Sequence, residues 1–215
     1  MTNNHCRELL HSGISELGLN LDPAAQQKLL DYLDLLAKWN RTYNLTAIRD
    51  QDKMVTQHLL DSLAVLPHLN MTLVQADSVA DVGSGAGLPG IPLAIARSQL
   101  EVTLVESSQK KASFLQQAKI ELGLNNVSVH CVRVVDFKPV KLFQTVITRA
   151  FSSLADFVSQ SAHLLAVGGR LLAMKGVYPE HEINGLPPQW HVSESIHLSV
   201  PQLSAERNLI VIEKT

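Results

Sequence analysis

The first third of the chain repeats apolar residues at the three- and four-residue steps of amphipathic helices. One such pattern covers residues 5–19. A stronger one follows Asp22 and Pro23, residue types that cap a helix and suit its first turn, and a third covers residues 52–66. These patterns predict three helices before any strand, so we expect residues 1–70 to form a helical N-terminal extension.

From residue 77 onward, short apolar runs alternate with helical stretches. Seven runs have the length and composition of strands: 78–82, 101–106, 127–132, 145–149, 170–175, 192–198 and 208–213. Helical stretches lie between several of them: 90–98, 109–122 and 152–166. Alternation of this kind predicts right-handed crossovers and a parallel sheet with helices on both faces.

The last two apolar runs have no helix-length pattern between them, so we expect them to form a hairpin-like pair. Such a pair puts one antiparallel strand in the sheet. The sequence therefore predicts an α/β fold with a mostly parallel seven-stranded sheet, one antiparallel strand and a preceding helical extension.

Composition limits the function classes. The 215 residues are 46% hydrophobic and 18% charged, enough for one sizeable core. Because the net charge is -2, a polyanionic partner would have to bind a local basic patch. Cys6 and Cys131 lie far apart in the sequence, and neither is in a metal-ligand motif. We expect reduced thiols, no metal site and a soluble cytoplasmic chain, since it lacks a signal-peptide pattern and an apolar run near the ~20 residues that span a bilayer.

The stretch DVGSGAGLPG, residues 81–90, directly follows the first predicted strand. In a doubly wound sheet this position is the crevice where ligands bind. Glycines there allow a ligand to approach the main chain, and the N–H groups that start the next helix are expected to be free. Gly83, Gly85 and Gly87 are spaced G-x-G-x-G, not G-x-G-x-x-G as in a dinucleotide loop. Asp81 would repel a pyrophosphate, but it could pair with the ammonium group of a ligand.

A second acidic residue ends the second predicted strand. Glu106 lies 23 residues after Gly83, close to the ~20-residue offset at which a carboxylate accepts hydrogen bonds from a ribose diol. A ligand with a ribose, an amino-acid group and no phosphate suits both carboxylates, and S-adenosylmethionine is such a ligand. The alternative interpretation is a tight structural turn beside a surface glutamate.

Seven stretches combine these features with more specific ones: KWNRTYNLTAIRD (38–50), HLLDSLA (58–64), DVGSGAGLPGIPLAI (81–95), LVESSQKKASFL (104–115), ITRAFSSL (147–154), MKG (174–176) and ERNLIVIEK (206–214). Together they resemble the RsmG family, also called GidB, of bacterial 16S ribosomal RNA guanine-N7 methyltransferases. The resemblance covers nearly the whole chain. It implies a Rossmann-like class I methyltransferase domain over residues 71–215, packed as a single unit with the helical extension at residues 1–70.

The resemblance also implies the cofactor, the partner and several site residues. The cofactor is S-adenosylmethionine, and the partner is 16S ribosomal RNA within the 30S subunit. The oligomeric state does not follow from the resemblance, and a monomer is our default expectation. The family's cofactor contacts fall on Gly83, Leu88, Val134, Val135 and Arg149. Relatives commonly have glutamate where this chain has Val135. Main-chain contacts to adenine would survive that change, whereas a carboxylate contact would require Asp136 as a replacement.

Methyl transfer to guanine N7 demands little from side chains. Because N7 carries an in-plane lone pair, no proton has to be removed and no general base is required. The enzyme must align nucleophile, methyl carbon and sulfur at ~3 to 3.5 Å. The sequence lacks the N-P-P-Y and Pro-Cys motifs of other nucleobase methyltransferases. The attack leaves a positive charge on the base, so a nearby carboxylate or phosphate would favour it.

Five cations are candidates for RNA contacts at the carboxyl edge of the sheet: Lys110, Lys111, Arg149, Lys175 and Arg207. We assign Arg149 and Lys175 to positioning the cofactor or an RNA phosphate. For Arg149 the alternative is a structural ion pair with Asp81 or Glu106, and for the other cations it is an ordinary solvated surface.

The N-terminal extension holds further polar residues whose pattern favours structural roles. We expect His58, Asp61 and Ser62 to pack and form hydrogen bonds, and Asn44 and Thr46 to brace the turn before the third helix.

Three other function classes compete with the RNA methyltransferase. An NAD-dependent dehydrogenase would need the wider glycine spacing and would leave Asp81 unexplained. A small-molecule methyltransferase would share every cofactor residue. A non-enzymatic RNA-binding module would not need the glycine loop.

Overall fold

The computed structural model of the chain describes residues 4–69 and 78–215. Within these ranges, four α-helical segments precede the first strand: α1 (Asn4–Glu16), α2 (Pro23–Tyr43), α3 (Gln51–Met54) and α4 (Asp61–Leu63). A π-helical turn, Val55–Leu60, joins α3 to α4, so the third predicted helix is one continuous segment with a wider middle. Asp22 caps α2, since its Oδ1 accepts a hydrogen bond from the N–H of Ala25 at 2.6 Å.

The strands of the described ranges form one seven-stranded sheet: β1 (Ser78–Val82), β2 (Glu101–Glu106), β3 (Val127–Cys131), β4 (Phe143–Thr148), β5 (Leu165–Lys175), β6 (Trp190–His197) and β7 (Asn208–Lys214). Their order is β3-β2-β1-β4-β5-β7-β6. In this sheet β7 alone runs in the direction opposite to the other six strands, which confirms the predicted fold class.

The remaining helices of residues 78–215 are α5 (Gly90–Ala96), α6 (Gln109–Glu121), α7 (Leu154–Ser161) and α8 (Glu180–Asn184). Three 3-10 turns, Leu66–His68, Val134–Asp136 and Ala162–Leu164, complete the described elements. None of the helices in the described ranges combines the length and apolar content that crossing a membrane requires.

The prediction was wrong between residues 162 and 170. The expected helix ends at Ser161, and β5 begins at Leu165 instead of residue 170. The Gly168-Gly169 pair does not end a helix. It lies in an irregular part of β5, where Leu165 pairs with Phe143 but Arg170 already pairs with Thr145. A side chain at Gly169 would meet main-chain oxygens, so the bulge requires glycine there.

The core has two parts. One packs α1 to α6 against one face of the sheet and joins side chains from both ends of the chain, such as Leu33, Phe114 and Leu209. The other lies under α7 and includes Phe157 and Trp190. The N-terminal helices therefore pack on the same core as the sheet. The predicted boundary between residues 70 and 71 lies outside the described residues, and the division at that point stays a prediction.

Candidate active site

The glycine-rich loop leaves β1 and enters α5 with three positive φ angles: 70° at Gly83, 59° at Gly85 and 87° at Gly87. A Cβ atom on Gly83 would lie 2.9 Å from the Cβ of Ala150, and one on Gly87 would lie 2.5 Å from Cδ1 of Ile91. At Gly85, by contrast, the nearest atom would be 3.8 Å away. Gly85 is thus the position where a ligand can approach the main chain.

Asp81 lies beneath this loop and is fully buried. Its Oδ2 accepts a hydrogen bond from the N–H of Gly90 at 2.9 Å and so holds the start of α5. The N–H of Ile91 bonds to the carbonyl of Gly87 at 2.7 Å. The expectation that these N–H groups are free was therefore wrong, because the carboxylate and the loop itself use them.

The other oxygen of Asp81 is unusual. Oδ1 is buried and has no hydrogen-bond partner among the described residues. Burial raises the pKa of Asp81 to about 7, while the Gly90 N–H and Arg149 act in the opposite direction. A cationic donor near Oδ1 would satisfy this oxygen, so an ammonium contact through Oδ1 stays a prediction.

Glu106 also binds the glycine loop. Its Oε2 accepts from the N–H of Gly85 at 2.8 Å, and its Oε1 accepts from the N–H of Ser108 at 2.7 Å. The residue is only 6% exposed, so the alternative of a surface glutamate is wrong. Each oxygen has a further lone pair, and a ribose diol at Gly85 would share this carboxylate with the main chain.

A cavity of about 210 Å³ opens beside the loop at the carboxyl ends of β1 and β4. Its lining includes Val134 together with Gly83, Val105, Ser107, Arg133, Ala150, Phe151 and Gln160. Val135 is 41% exposed and does not line it. Asp136 lines a separate groove, so the structure does not bring it to the position that a missing glutamate would take. Leu88 packs in the core, and its N–H donates to the carbonyl of Ser84 at 3.1 Å, so neither its side chain nor its N–H is free for a ligand.

Tyr32 is a site residue that the sequence patterns do not reveal, because it falls among the apolar residues that repeat along α2, such as Leu29, Leu33 and Leu36. Its ring is fully buried, and its hydroxyl donates to the carbonyl of Ala86 in the glycine loop at 2.6 Å. Burial raises the pKa of Tyr32 far above the ordinary value, so the phenol stays a neutral donor. Only an aromatic hydroxyl in an otherwise apolar stripe signals such a bond in the sequence.

A second cavity, of about 310 Å³, brings together three of the predicted cations: Arg149, Lys175 and Arg207. Its other lining residues are Ile48, Gln57, Asp61, Met174 and Gly176. Lys110 is exposed and Lys111 is half-buried at the start of α6, and neither residue lines this cavity. Arg149 borders this cavity and its neighbour Ala150 borders the 210 Å³ cavity, so both cavities lie next to the end of β4.

Asp61 is the acidic centre of the second cavity, and its side chain is 4% exposed. Oδ2 accepts from Nη1 of Arg149 at 2.9 Å, and Oδ1 accepts from Nε of Arg207 at 2.9 Å. Arg149 therefore forms its ion pair with Asp61. The alternative partners that the sequence offered, Asp81 and Glu106, do not pair with it. Burial raises the pKa of Asp61, while both arginines act to lower it.

Lys175 is also paired. Its Nζ lies 2.8 and 3.1 Å from the two carboxylate oxygens of Glu182 and 3.2 Å from the carbonyl of Phe151. Its side chain is only 13% exposed, so the solvated alternative was wrong. These acceptors match the three protons of the ammonium group. A phosphate contact would have to compete with them.

His58 serves as a brace, as the sequence favoured. It is buried, and its Nε2 lies 3.0 Å from the hydroxyl of Thr46, which accepts from the N–H of Ile48. Burial, assisted by the positive charge of Arg149, lowers the pKa of His58 to about 4. Asn44 ends α2 with φ of 51°. The turn that lays the third helical segment over the site is therefore fixed by neutral hydrogen bonds.

Comparison with known proteins gives consistent findings on family. A family model described as rRNA small subunit methyltransferase G matches residues 25–211. A protein of Aromatoleum aromaticum named Ribosomal RNA small subunit methyltransferase G is 56% identical over 209 residues, covering 95% of this chain and 97% of that protein. A protein of the same name from Nitrosospira multiformis is 51% identical, covering 95% of this chain and 96% of that protein.

Solved structures show the same fold at low sequence identity. A SAM dependent methyltransferase from Aquifex aeolicus superposes with a TM-score of 0.58 at 16% identity, covering 76% of this chain and 93% of that one. The mitomycin 7-O-methyltransferase MmcR gives a TM-score of 0.60 at 13% identity, covering 90% and 69%. These likenesses establish the class I methyltransferase architecture of the sheet and its helices.

Proposed function

The chain belongs to the family of the rRNA small subunit methyltransferase G, and from this membership we propose that it methylates N7 of one guanine in 16S ribosomal RNA. It is an rRNA methyltransferase, and S-adenosylmethionine is its cofactor. The target atom, the substrate form and the residue roles below are proposals.

The observation that carries the proposal is the open position at Gly85 between two buried carboxylates. Glu106 already faces the main chain of Gly85, where a ribose would lie, and Oδ1 of Asp81 lacks a partner among the described residues. We assign the adenine to the 210 Å³ cavity beside Gly83 and Val134. The main chain of Gly87 and Leu88 completes this cofactor site, with Val135 in contact only through its backbone.

The bound cofactor supplies an electrophilic methyl group on a sulfonium. The described side chains that line the 310 Å³ cavity then align the guanine and exclude water, because N7 needs no deprotonation. Asp61 is engaged by two arginines, and Lys175 is engaged by Glu182. His58, behind the cavity, is bonded to Thr46 and is neutral at pH 7. This arrangement supports transfer without a general base.

The substrate side of the proposed site is cationic. We assign Arg149 and Arg207 to an RNA phosphate, with Arg149 also facing the cofactor, and Lys110 and Lys111 to more distant phosphates. Lys175 then contributes mainly by fixing α8 and the carbonyl of Phe151. The proposed substrate is 16S ribosomal RNA within the 30S subunit, bound by a monomer of this chain.

Transfer of a labelled methyl group tests the proposal. The full chain is incubated with methyl-labelled S-adenosylmethionine and 30S subunits from a strain that lacks the modification, and the labelled nucleotide is mapped. We expect one 7-methylguanine in 16S ribosomal RNA. Label on another atom or another RNA would refute the proposal. Label on a small molecule, with no response to added subunits, would favour the small-molecule methyltransferase.

A further inference from the structure

Asp61 links three distant parts of the chain at one point. It begins α4 in the N-terminal extension, whereas Arg149 follows β4 and Arg207 precedes β7. No other described carboxylate forms an ion pair with either arginine. The helical extension therefore reaches the carboxyl edge of the sheet through a buried charge and in this way becomes part of the 310 Å³ cavity.

The two guanidinium groups are held in place, and each keeps N–H donors that no described residue uses. Arg149 uses Nη1 for Asp61 and for the carbonyl of Gln57, which lies 3.3 Å away. Arg207 uses Nε for Asp61 and Nη1 for the carbonyl of Glu206 at 2.8 Å. The Nη2 groups of both arginines make no hydrogen bond with the described residues. Both side chains line the cavity and are about a quarter exposed, at 27% and 23%.

Charge in this cavity favours an anion. Two arginines beside one carboxylate leave a net charge of one positive unit, and the Lys175–Glu182 pair adds none. Arginine binds phosphate with several N–H groups in a planar arrangement, so its orientation matters as much as its charge. A carboxylate that fixes two such groups prepares them for one ligand.

We propose that Asp61 is a positioning residue for the RNA substrate, which holds Arg149 and Arg207 so that both bind the same phosphodiester. This inference rests on the proposed function, since it takes ribosomal RNA as the substrate. It assigns the N-terminal extension a part in RNA binding that reaches beyond packing.

Two roles of Asp61 lead to opposite results. If the carboxylate only reduced the positive charge of the cavity, its removal would strengthen RNA binding. If it positions the arginines, its removal weakens RNA binding, because the two cations then separate and one phosphate contact is lost. The sign of the change therefore distinguishes positioning from simple charge balance.

The test compares wild type, Asp61→Asn and the control Asp31→Asn, which removes an acidic charge from an exposed position of α2. Filter binding to unmodified 30S subunits is measured between about 50 and 200 mM salt. For Asp61→Asn we expect roughly tenfold weaker binding and a salt slope smaller by about 0.7 to 0.9, the value of one lost phosphate contact. Affinity for S-adenosylhomocysteine should change less than threefold, and Asp31→Asn should behave as wild type.

Equal or tighter RNA binding by Asp61→Asn would overturn the proposal, as would weaker binding with an unchanged salt slope. Asp61→Glu keeps the charge and lengthens the side chain, so it serves if the asparagine variant fails to fold. Positioning demands weaker RNA binding for Asp61→Glu, and unchanged binding overturns it. Failure of wild type to methylate the subunits would refute the proposed function itself, whereas methylation by wild type with an unaffected Asp61→Asn would refute this inference alone.

Discussion

At the glycine loop, Asp81 and Glu106 combine a structural contact with a proposed contact to the cofactor. The positions of Asp81 and Glu106 predicted contacts to a ligand. In the structure both carboxylates bind the main chain of the glycine loop, through Gly90 and Gly85 respectively. The pattern indicated where the acids lie but not what they contact, because hydrogen bonds from loop N–H groups depend on the tertiary path of the loop. Spacing along the chain does not encode that path.

Gly85→Ala tests the ligand-approach position, with Gly123→Ala as its matched control. Gly123 has a φ of 60°, and an added Cβ there would meet nothing within 4 Å, so both variants carry the same backbone strain. Each should lower the free energy of unfolding by about 1 to 2 kcal/mol. Only Gly85→Ala should weaken S-adenosylhomocysteine binding, at least tenfold by calorimetry. Equal affinities of the two variants would contradict the assignment.

His58→Gln tests the buried neutral histidine. The pKa of His58 is about 4 in the folded chain and 6.5 in its ordinary state, so between these values the unfolded chain binds more protons. Wild type therefore loses stability from this group as the pH falls from 6.5 towards 4, by about 1.4 kcal/mol per pH unit. The raised pKa of Asp81 makes stability change with pH in the opposite direction, but Asp81 is present in both wild type and His58→Gln.

The measurement is urea unfolding of wild type and His58→Gln at pH 7.5 and pH 5. We expect the stability advantage of wild type to shrink by about 2 kcal/mol at the lower pH, because glutamine does not titrate. An advantage that is the same at both values would show that His58 is not held neutral.

At the scale of elements, every strand was predictable because alternation of apolar runs and helices is a strong local signal. The exceptions have physical causes. The five residues of α8 are too few for a helical period, and the glycine pair at 168–169 signals a bulge as readily as a helix end. The π-helical turn Val55–Leu60 is equally invisible, since one wider turn hardly changes the spacing of apolar residues.

Tyr32→Phe tests the contact between α2 and the glycine loop. Removing the hydroxyl leaves the buried carbonyl of Ala86 without its donor, which should cost about 1 to 3 kcal/mol of unfolding free energy. The control is Tyr43→Phe, at a residue that is 43% exposed. Its hydroxyl bonds to no described residue, so the change should stay within about 0.5 kcal/mol. If urea unfolding gave the same loss of unfolding free energy for both variants, the Tyr32 hydroxyl would not stabilise the glycine loop.

On the scale of the whole molecule, the extension and the sheet share one apolar core and one polar site. Trp39 of α2 packs edge-on against Phe114 of α6, with ring centroids 5.7 Å apart. Asp61 adds the ion pairs to Arg149 and Arg207. The sequence predicted the cations of this site as a group, since strand ends meet at one edge. It did not predict their acidic partner, because a helix before the sheet has no fixed register against that edge.

A single unfolding transition is the expected consequence of this shared core. The chain has two tryptophans, Trp39 in the extension and Trp190 in β6, so Trp190→Phe and Trp39→Phe each leave one reporter. In each variant, urea unfolding followed by fluorescence should coincide with unfolding followed by circular dichroism. If the Trp39 fluorescence instead changed at a lower urea concentration than the circular dichroism, the extension would be a unit that unfolds separately from the sheet.

A crystal structure of the full chain with S-adenosylhomocysteine tests the central assignment most directly. We expect the nucleoside to lie over Gly85 with its ribose on Glu106, its ammonium group towards Oδ1 of Asp81 and its sulfur facing the cavity of Asp61 and Arg149. A ligand found instead in the larger groove of about 1120 Å³ near His130 and Phe143, or a glycine loop with nothing bound, would contradict it.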